Sequence, residues 1–311
     1  MIDTYIREEL QKRFQEIKAE RNSEVSKKNP KATKSVITLA LESYLDETPG
    51  LKSAWEDVVD ERFVKYATSQ IRLFLFAGTD TTSSMMVYVY HMLSKHPDWL
   101  KRLRKEHDEV FGKDPANASG LLKDTPSLLN NCKLTLAFIK ETLRLYAPAG
   151  TMRAGLPGMT VTDLRGDEQP IQYAGANVLH QALHVNPRVW PRASDFLPER
   201  FLVGPEHELH PDPASYRPFE QGPRNCIGQT LVWNELRIAI ILTCRDLDIR
   251  DAYDDFDAHK ESQISIWSRL KRIVFGEPIK MLHGDRAYQT DSGGAHPVDG
   301  YPCHVRWVAD D

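Results

Sequence analysis

One ten-residue run constrains this chain more than any other: Phe219-Glu-Gln-Gly-Pro-Arg-Asn-Cys-Ile-Gly228. It sets Cys226 in a frame of Phe219, Gly222, Arg224 and Gly228, and the apolar stretch Leu231-Val232-Trp233 follows. Two glycines let the backbone turn tightly and approach a flat partner that side chains would hold off. The segment from Ile227 onward reads as a helix, which puts Cys226 at a helix N-terminus. Unpaired N–H groups and the positive end of the helix dipole favour a thiolate there. An aromatic on one side and an arginine two residues before the sulfur suit a cofactor with an apolar face and acidic edges, as in thiolate-ligated haem. The alternative for any one cysteine is a buried structural residue in a glycine-containing loop.

The remaining chemistry of the chain excludes several other classes. Cys132, Cys226, Cys244 and Cys303 are far apart with no C-x-x-C pair, so neither a zinc site nor a disulfide framework is indicated, and a reducing compartment fits. A net charge of −4 over 311 residues gives no reason to expect nucleic acid as a partner. No apolar run is long enough to cross a membrane, and the N-terminus has no signal-sequence pattern. Asn117-Ala-Ser119 matches a glycosylation acceptor, a triplet common by chance.

Periodicity predicts a helix over residues 1–22, a short one over Val36–Leu45 closed by Thr48-Pro49-Gly50, and a long one from about Ala54 to Ser94. The basic stretch Lys27-Lys28-Asn-Pro-Lys31 reads as a solvated loop. Pro97 opens the next helix and Gly112 closes it; residues 113–126 read as loop and Leu128–Tyr146 as helix. Short β pieces follow at Met159–Thr162, Ile171–Tyr173 and Val178–His180, then an irregular proline-rich stretch from Pro187 to Pro218. A helix is expected at Ile227–Asp246 and a small hairpin near Gly293-Gly294 and Val305–Val308. The fold class is therefore mainly α with small β-sheets (α+β).

Ala77-Gly78-Thr79-Asp80-Thr81-Thr82 interrupts the long helix with glycine and polar residues, which weaken a helix interior and predict a local widening. An adjacent carboxylate and hydroxyl can hand on a proton there; the other reading is a hydrophilic notch without chemistry. Glu141-Thr-Leu-Arg144 sets an acid and a base three apart on one helix face, a spacing that is usually exposed and weak.

The frame F-x-x-G-x-R-x-C-x-G resembles the haem-binding loop of the cytochrome P-450 (haem-thiolate monooxygenase) family. Ala77–Thr82 resembles that family's oxygen-activation segment, Glu141–Arg144 its E-x-x-R pair, and Pro198-Glu-Arg200-Phe201 the segment whose arginine completes a buried triad. The order of segments agrees from about residue 54 onward. The resemblance implies Cys226 as iron ligand, Asp80 and Thr81 as proton-handling residues, and Ala77 and Gly78 as room for haem and oxygen. It implies Phe219, Gly222 and Gly228 in the cofactor loop, Arg224 and Arg153 as propionate partners, and Glu141, Arg144 and Arg200 as the supporting triad. His184 and Trp190 match the same stretch, with His184 expected to be packed and hydrogen-bonded, not an iron ligand.

By the same resemblance the cofactor is haem b (iron protoporphyrin IX) and O2 is co-substrate. NADPH supplies electrons through a flavoprotein reductase, and the substrate is a hydrophobic small molecule. The tail Gly293–Cys303 resembles filamentous-fungal members, and secondary metabolism is the expected setting. The family's front part, which carries the membrane anchor, several helices and much of the substrate pocket, has no counterpart. The expectation is thus one partial domain over residues 1–311, N-terminally truncated, with the oxygen-activation helix at about 54–94 and the ligand loop at 219–228. A full-length form would sit on the cytosolic face of the endoplasmic reticulum membrane; this chain, without an anchor, would be cytosolic. The alternative is an inactive remnant that binds haem weakly or not at all.

Overall fold

The computed structural model describes residues 2–22, 34–47, 59–163, 165–172, 175–263, 265, 267, 280–282, 284–290 and 294–308. The chain divides into two compact units, Met1–Thr79 and Asp80–Asp311. In the first, α1 (Ile2–Asn22) presents Ile6, Leu10, Phe14 and Ile17 at helical spacing. These bury against Leu41 of α2 (Val36–Glu47) and Val64 and Ala67 of α3 (Glu61–Lys95). The Asp60 carboxylate accepts from the Arg62 N–H at 2.8 Å, an N-cap that sets where α3 begins. The expected start near Ala54, the stop Thr48-Pro49-Gly50, the basic stretch around Lys28, Tyr173 and Gly293 lie outside the described residues.

α3 carries one clear correction. The Ala77–Thr82 run does not interrupt it: all 35 residues are α-helical. A single interior glycine costs only about 1 kcal/mol, which a long helix absorbs. Hydroxyls can also bond back into the helix, as Ser83 Oγ does to the Asp80 carbonyl at 3.0 Å.

In the second unit the distal part of α3 packs with α4 (Pro97–Phe111), α6 (Lys133–Leu145) and α8 (Gln229–Thr243). Met85, Val89 and Met92 of α3 meet Leu103, Phe138, Ile139, Leu143 and the i, i+4, i+8 stripe Val232, Leu236 and Ile240. Pro97 opens α4, and Gly112 closes it at φ +82°, a conformation glycine adopts without strain. Residues 113–126, expected as loop, contain α5 (Asn117–Asp124), and a 3-10 turn over Pro126–Asn131 precedes α6. Leu121 and Leu122 carried too short an apolar pattern to mark α5.

The sheets are small antiparallel pairs: β1 (Thr151–Ala154) with β4 (Gly175–Val178), and β2 (Thr160–Thr162) with β3 (Glu168–Pro170). The short helix α7 (His180–His184) follows β4 where a β piece was expected. The C-terminal strand β6 (Cys303–Trp307) is not half of a local hairpin; it pairs with β5 (Leu247–Asp251), with Leu247 opposite Trp307. Strand partners this distant are chosen by tertiary packing, which turn signals do not record. Acidic α9 (Tyr253–Gln263) leads out of β5.

The start of α6 is fixed from another helix. Glu106 of α4 accepts from the Leu134 N–H (2.6 Å), the Thr135 N–H (2.9 Å) and the Thr135 hydroxyl (2.7 Å). It satisfies first-turn donors that a helix cannot pair internally. Glu106→Ala should lower unfolding free energy by about 1–3 kcal/mol, the cost of buried donors left unpaired. Urea denaturation, read as a lower midpoint at unchanged slope, measures it.

Candidate functional site

Behind the cysteine loop lies a buried ionic lock. Glu141 and Arg144 share one face of α6 and form a two-pronged pair, Nε to Oε2 and Nη2 to Oε1, both 2.8 Å, at 0% side-chain exposure. Arg144 spends its other donors on the carbonyls of His184 (2.7 Å), Ala193 (2.7 Å) and Asp195 (2.9 Å), so every N–H of its guanidinium is used. Arg200, in the 3-10 turn Pro198–Phe201, reaches Glu141 Oε1 at 3.3 Å and the Arg192 carbonyl at 2.7 Å. The Leu197 N–H adds a fourth donor to Glu141. Two cations against one carboxylate leave a buried excess of positive charge. Carbonyl oxygens offset it, as does the Trp190 ring, 5.2 and 5.9 Å from the two guanidinium carbons.

The lock gathers the 184–200 segment against α6, and the cysteine loop lies beside it. His184, fully buried, accepts from the Arg217 N–H at Nε2 (2.9 Å), and burial holds its imidazole down at about 3. The loop is closed by the Cys226 N–H on the Phe219 carbonyl (2.8 Å) and the Asn225 N–H on the Gly222 carbonyl (3.1 Å). Gly222 takes φ +81°, a conformation that favours glycine. α8 begins at Gln229 with Gly228 as its cap, two residues later than expected, so Cys226 stands just ahead of the first turn.

Cys226 is exposed, against the reading of a buried structural thiol, whereas Cys132 and Cys244 are buried with thiols pushed up to about 12 by burial. It lines a cleft of about 220 Å³ with Thr81, Met85, Leu143, Gly150, Phe219, Arg224 and Val232. Ile227 and Leu231, the next residues along, stay 84% and 61% exposed. One open thiol, an apolar lining and an arginine fit a large, flat, mostly apolar group with acidic edges.

The structure brings Thr81, Phe219, Arg224 and Cys226 to one cleft. It does not bring every expected residue there. Arg153 on β1 is exposed and donates to the Met152 carbonyl (3.0 Å). Asp80 is not among the lining residues; its carboxylate takes the Gly294 N–H and His296 Nε2, the latter at 3.0 Å. Ala77 and Gly78 belong to the first unit and are exposed.

Sequence reading missed His180 and Glu220, which also line the cleft. His180 Nδ1 meets the Ala149 carbonyl (2.9 Å) and Nε2 meets Glu220 Oε2 (3.3 Å). Glu220 sits at φ +60°, rare for a non-glycine residue, and its other oxygen accepts from Arg217 Nε (2.7 Å), Arg217 Nη2 and the Gln221 N–H. The signal lay in the sequence as an acid inside the cysteine frame, but nothing there named a partner forty residues away.

Burial by itself would raise the Glu220 carboxyl; bonds from Arg217, His180 and Thr151 outweigh it and hold the group at about 2, against an ordinary 4.5. A carboxylate held below its ordinary value stabilises the fold above that value, and the contribution fades as pH falls from 4.5 towards 2. Glu220→Gln should therefore melt lower at neutral pH and have a flatter acid limb in that window. Melting curves from pH 7 to 2 decide it, with unchanged limbs placing the group outside the linkage.

A cytochrome P450 profile matches residues 4–264. The cytochrome P450 monooxygenase polC of Polytolypa hystricis is 43% identical over 251 residues, covering 81% of this chain and 43% of that protein. The cytochrome P450 monooxygenase acrF of Aspergillus aculeatus is 30% identical over 298 residues, 88% of this chain and 56% of its own length. PC-23 of Penicillium crustosum, also a cytochrome P450 monooxygenase, is 33% identical over 222 residues, 70% of this chain and 98% of its own. The chain spans about half the length of polC and acrF. With the cysteine frame, the E-x-x-R pair and the profile on the same stretch of sequence, the chain belongs to the cytochrome P450 family of haem-thiolate monooxygenases and is similar to its fungal members.

Proposed function

We propose that this chain carries the haem-binding and oxygen-activating part of a monooxygenase that inserts one oxygen atom from O2 into a hydrophobic small molecule. The observation that supports it most is the exposed Cys226 thiol in an apolar cleft shared with Thr81 and Phe219 and backed by the buried Glu141–Arg144–Arg200 lock. In this reading Cys226 is the iron ligand, and haem b, when bound, supplies the oxidising chemistry. Arg224 on the cleft wall would hold a propionate, Arg153 would reach the other only by leaving the Met152 carbonyl, and Phe219, Met85 and Val232 would give the group an apolar wall. Thr81 holds a proton at its hydroxyl, with Asp80 next to it in sequence. Electrons come from NADPH through a flavoprotein reductase. The whole of residues 1–311 is read as one partial domain of such an enzyme.

A second reading is a chain that holds haem weakly or not at all. It is favoured by the exposed Ile227, Leu231 and Met152 around the loop, apolar surface that nothing among the described residues covers. Titration with haemin separates the two: saturable binding at one equivalent supports the first, and absent or non-stoichiometric binding supports the second.

Reduced, haem-loaded protein under carbon monoxide should give the red-shifted Soret band of thiolate ligation. Cys226→Ser should move that band or lose the haem; retention of the thiolate spectrum would assign the ligand to another cysteine. Thr81→Ala should keep the spectrum but raise hydrogen peroxide formed per NADPH by roughly tenfold, since the proton path changes and the ligand does not. Unchanged coupling would reduce Thr81 to a lining residue.

A further inference from the structure

The Asp80 carboxylate has a partner that the sequence motif does not contain. His296 Nε2 lies 3.0 Å from Asp80 Oδ1, and the Gly294 N–H donates to Oδ2. The close approach explains Gly294, where a Cβ would run into that carboxylate. The segment is seated by several independent bonds. The Ala295 N–H donates to the Pro148 carbonyl (2.9 Å), and the Ala295 carbonyl accepts from Ser84 Oγ (2.8 Å), one turn beyond Asp80. The His296 carbonyl accepts from the Thr290 N–H (2.8 Å) and hydroxyl (3.0 Å). Asp80 and Ser84 thus form one docking face of α3 for residues 294–296.

His296 remains 31% exposed and Asp80 24%, so water reaches both groups. Its hydrogen bond and charge hold the Asp80 carboxyl below the usual range, with the Gly294 N–H acting in the same direction. Among the described residues, His296 is the one charged group that acts on that carboxylate. Thr81, the next residue, lines the cleft that Asp80 does not. A carboxylate next in sequence to a cleft-lining threonine is therefore bonded to an imidazole in contact with water.

We propose that His296 is the proton-entry residue for the Asp80–Thr81 pair, positioning the Asp80 carboxylate and passing it protons from solvent. A neutral His296 ring carrying its proton at Nε2 takes a second from water at Nδ1, and the imidazolium gives its Nε2 proton to Asp80 Oδ1. Loss of the Nδ1 proton to water and gain of one at Nε2 then restore the starting tautomer. The net change is one proton moved from solvent to the carboxylate, with no oxidation or reduction of either residue. This rests on the monooxygenase reading above.

Two measurements test it and separate the two levels. In the chain without haem, NMR of histidine-labelled protein should show a hydrogen-bonded His296 Nε2 proton that exchanges slowly with water, and Asp80→Ala should abolish that protection. Protection unchanged by Asp80→Ala, or absent from the parent, would overturn the pairing and the relay with it. In haem-loaded protein given NADPH and a flavoprotein reductase, with no organic substrate added, His296→Gln should keep the thiolate carbon monoxide spectrum and the melting temperature. An amide can still donate to Asp80 but cannot titrate. The variant should nonetheless raise the share of oxygen released as peroxide by about tenfold, enlarge the solvent deuterium effect and flatten the pH profile of that share. Parent-like values in His296→Gln, with His296→Ala losing only stability, would make His296 a structural strap. A parent protein without a thiolate spectrum would instead overturn the monooxygenase reading, leaving the NMR result to report on the pair.

Discussion

A carboxylate, two guanidiniums and an indole, all withdrawn from water, organise the second unit. Burying two arginines against one glutamate is costly unless every remaining donor finds an acceptor. Here backbone carbonyls of His184, Ala193 and Asp195 take all the remaining Arg144 donors and that of Arg192 takes one from Arg200, while Arg200 Nη1 has no acceptor among the described residues. These carbonyls run from the end of α7 through a stretch with little regular secondary structure. The charge therefore gives irregular chain a definite shape, because carbonyl positions must match the planar fork of a guanidinium. His184, held in that stretch, accepts from the Arg217 N–H, and Arg217 in turn grips Glu220 inside the cysteine loop. The loop's shape is thus inherited from α6 through a chain of directional bonds.

The same arrangement separates two kinds of cysteine. Cys132 and Cys244 are enclosed, and their thiols are stabilised against ionisation by burial. Cys226 is held open by a loop closed by two backbone bonds and by the Glu220 side chain, in which the sulfur takes no part. Its surroundings combine apolar surface with arginine and with the strained Glu220, whose carboxylate stays ionised among donors. Strain of this kind persists only where neighbours over-determine it, and Arg217, His180 and the Gln221 N–H do so here.

The cluster Glu106, His107 and Cys132 has ligand atoms close enough for a metal, but its geometry is accounted for without one. Glu106 is consumed by the first turn of α6, and His107 bridges Thr135 (2.8 Å) and Cys244 (3.3 Å). Burial holds His107 down at about 4, as suits a neutral ring between two such partners. No helix among the described residues is long and apolar enough to cross a membrane.

Much of the site was legible in the sequence because its residues are near neighbours. The frame from Phe219 to Gly228, the i, i+3 spacing of Glu141 and Arg144, and the apolar periods of α1, α3 and α8 are local patterns with local physical causes. The assignment of Arg200 to the same triad came from family resemblance, and the structure sets it 3.3 Å from Glu141. Contacts between distant segments were not legible: β5 with β6, His180 with Glu220, Glu106 over the start of α6, and His296 on Asp80. Nor was the unbroken course of α3, where local propensity argued for a break and helical cooperativity prevailed. A sequence records which groups need a partner; which partner reaches them is decided by how helices and loops pack, since bonds of about 3 Å between residues 29 to 216 positions apart have no local signature.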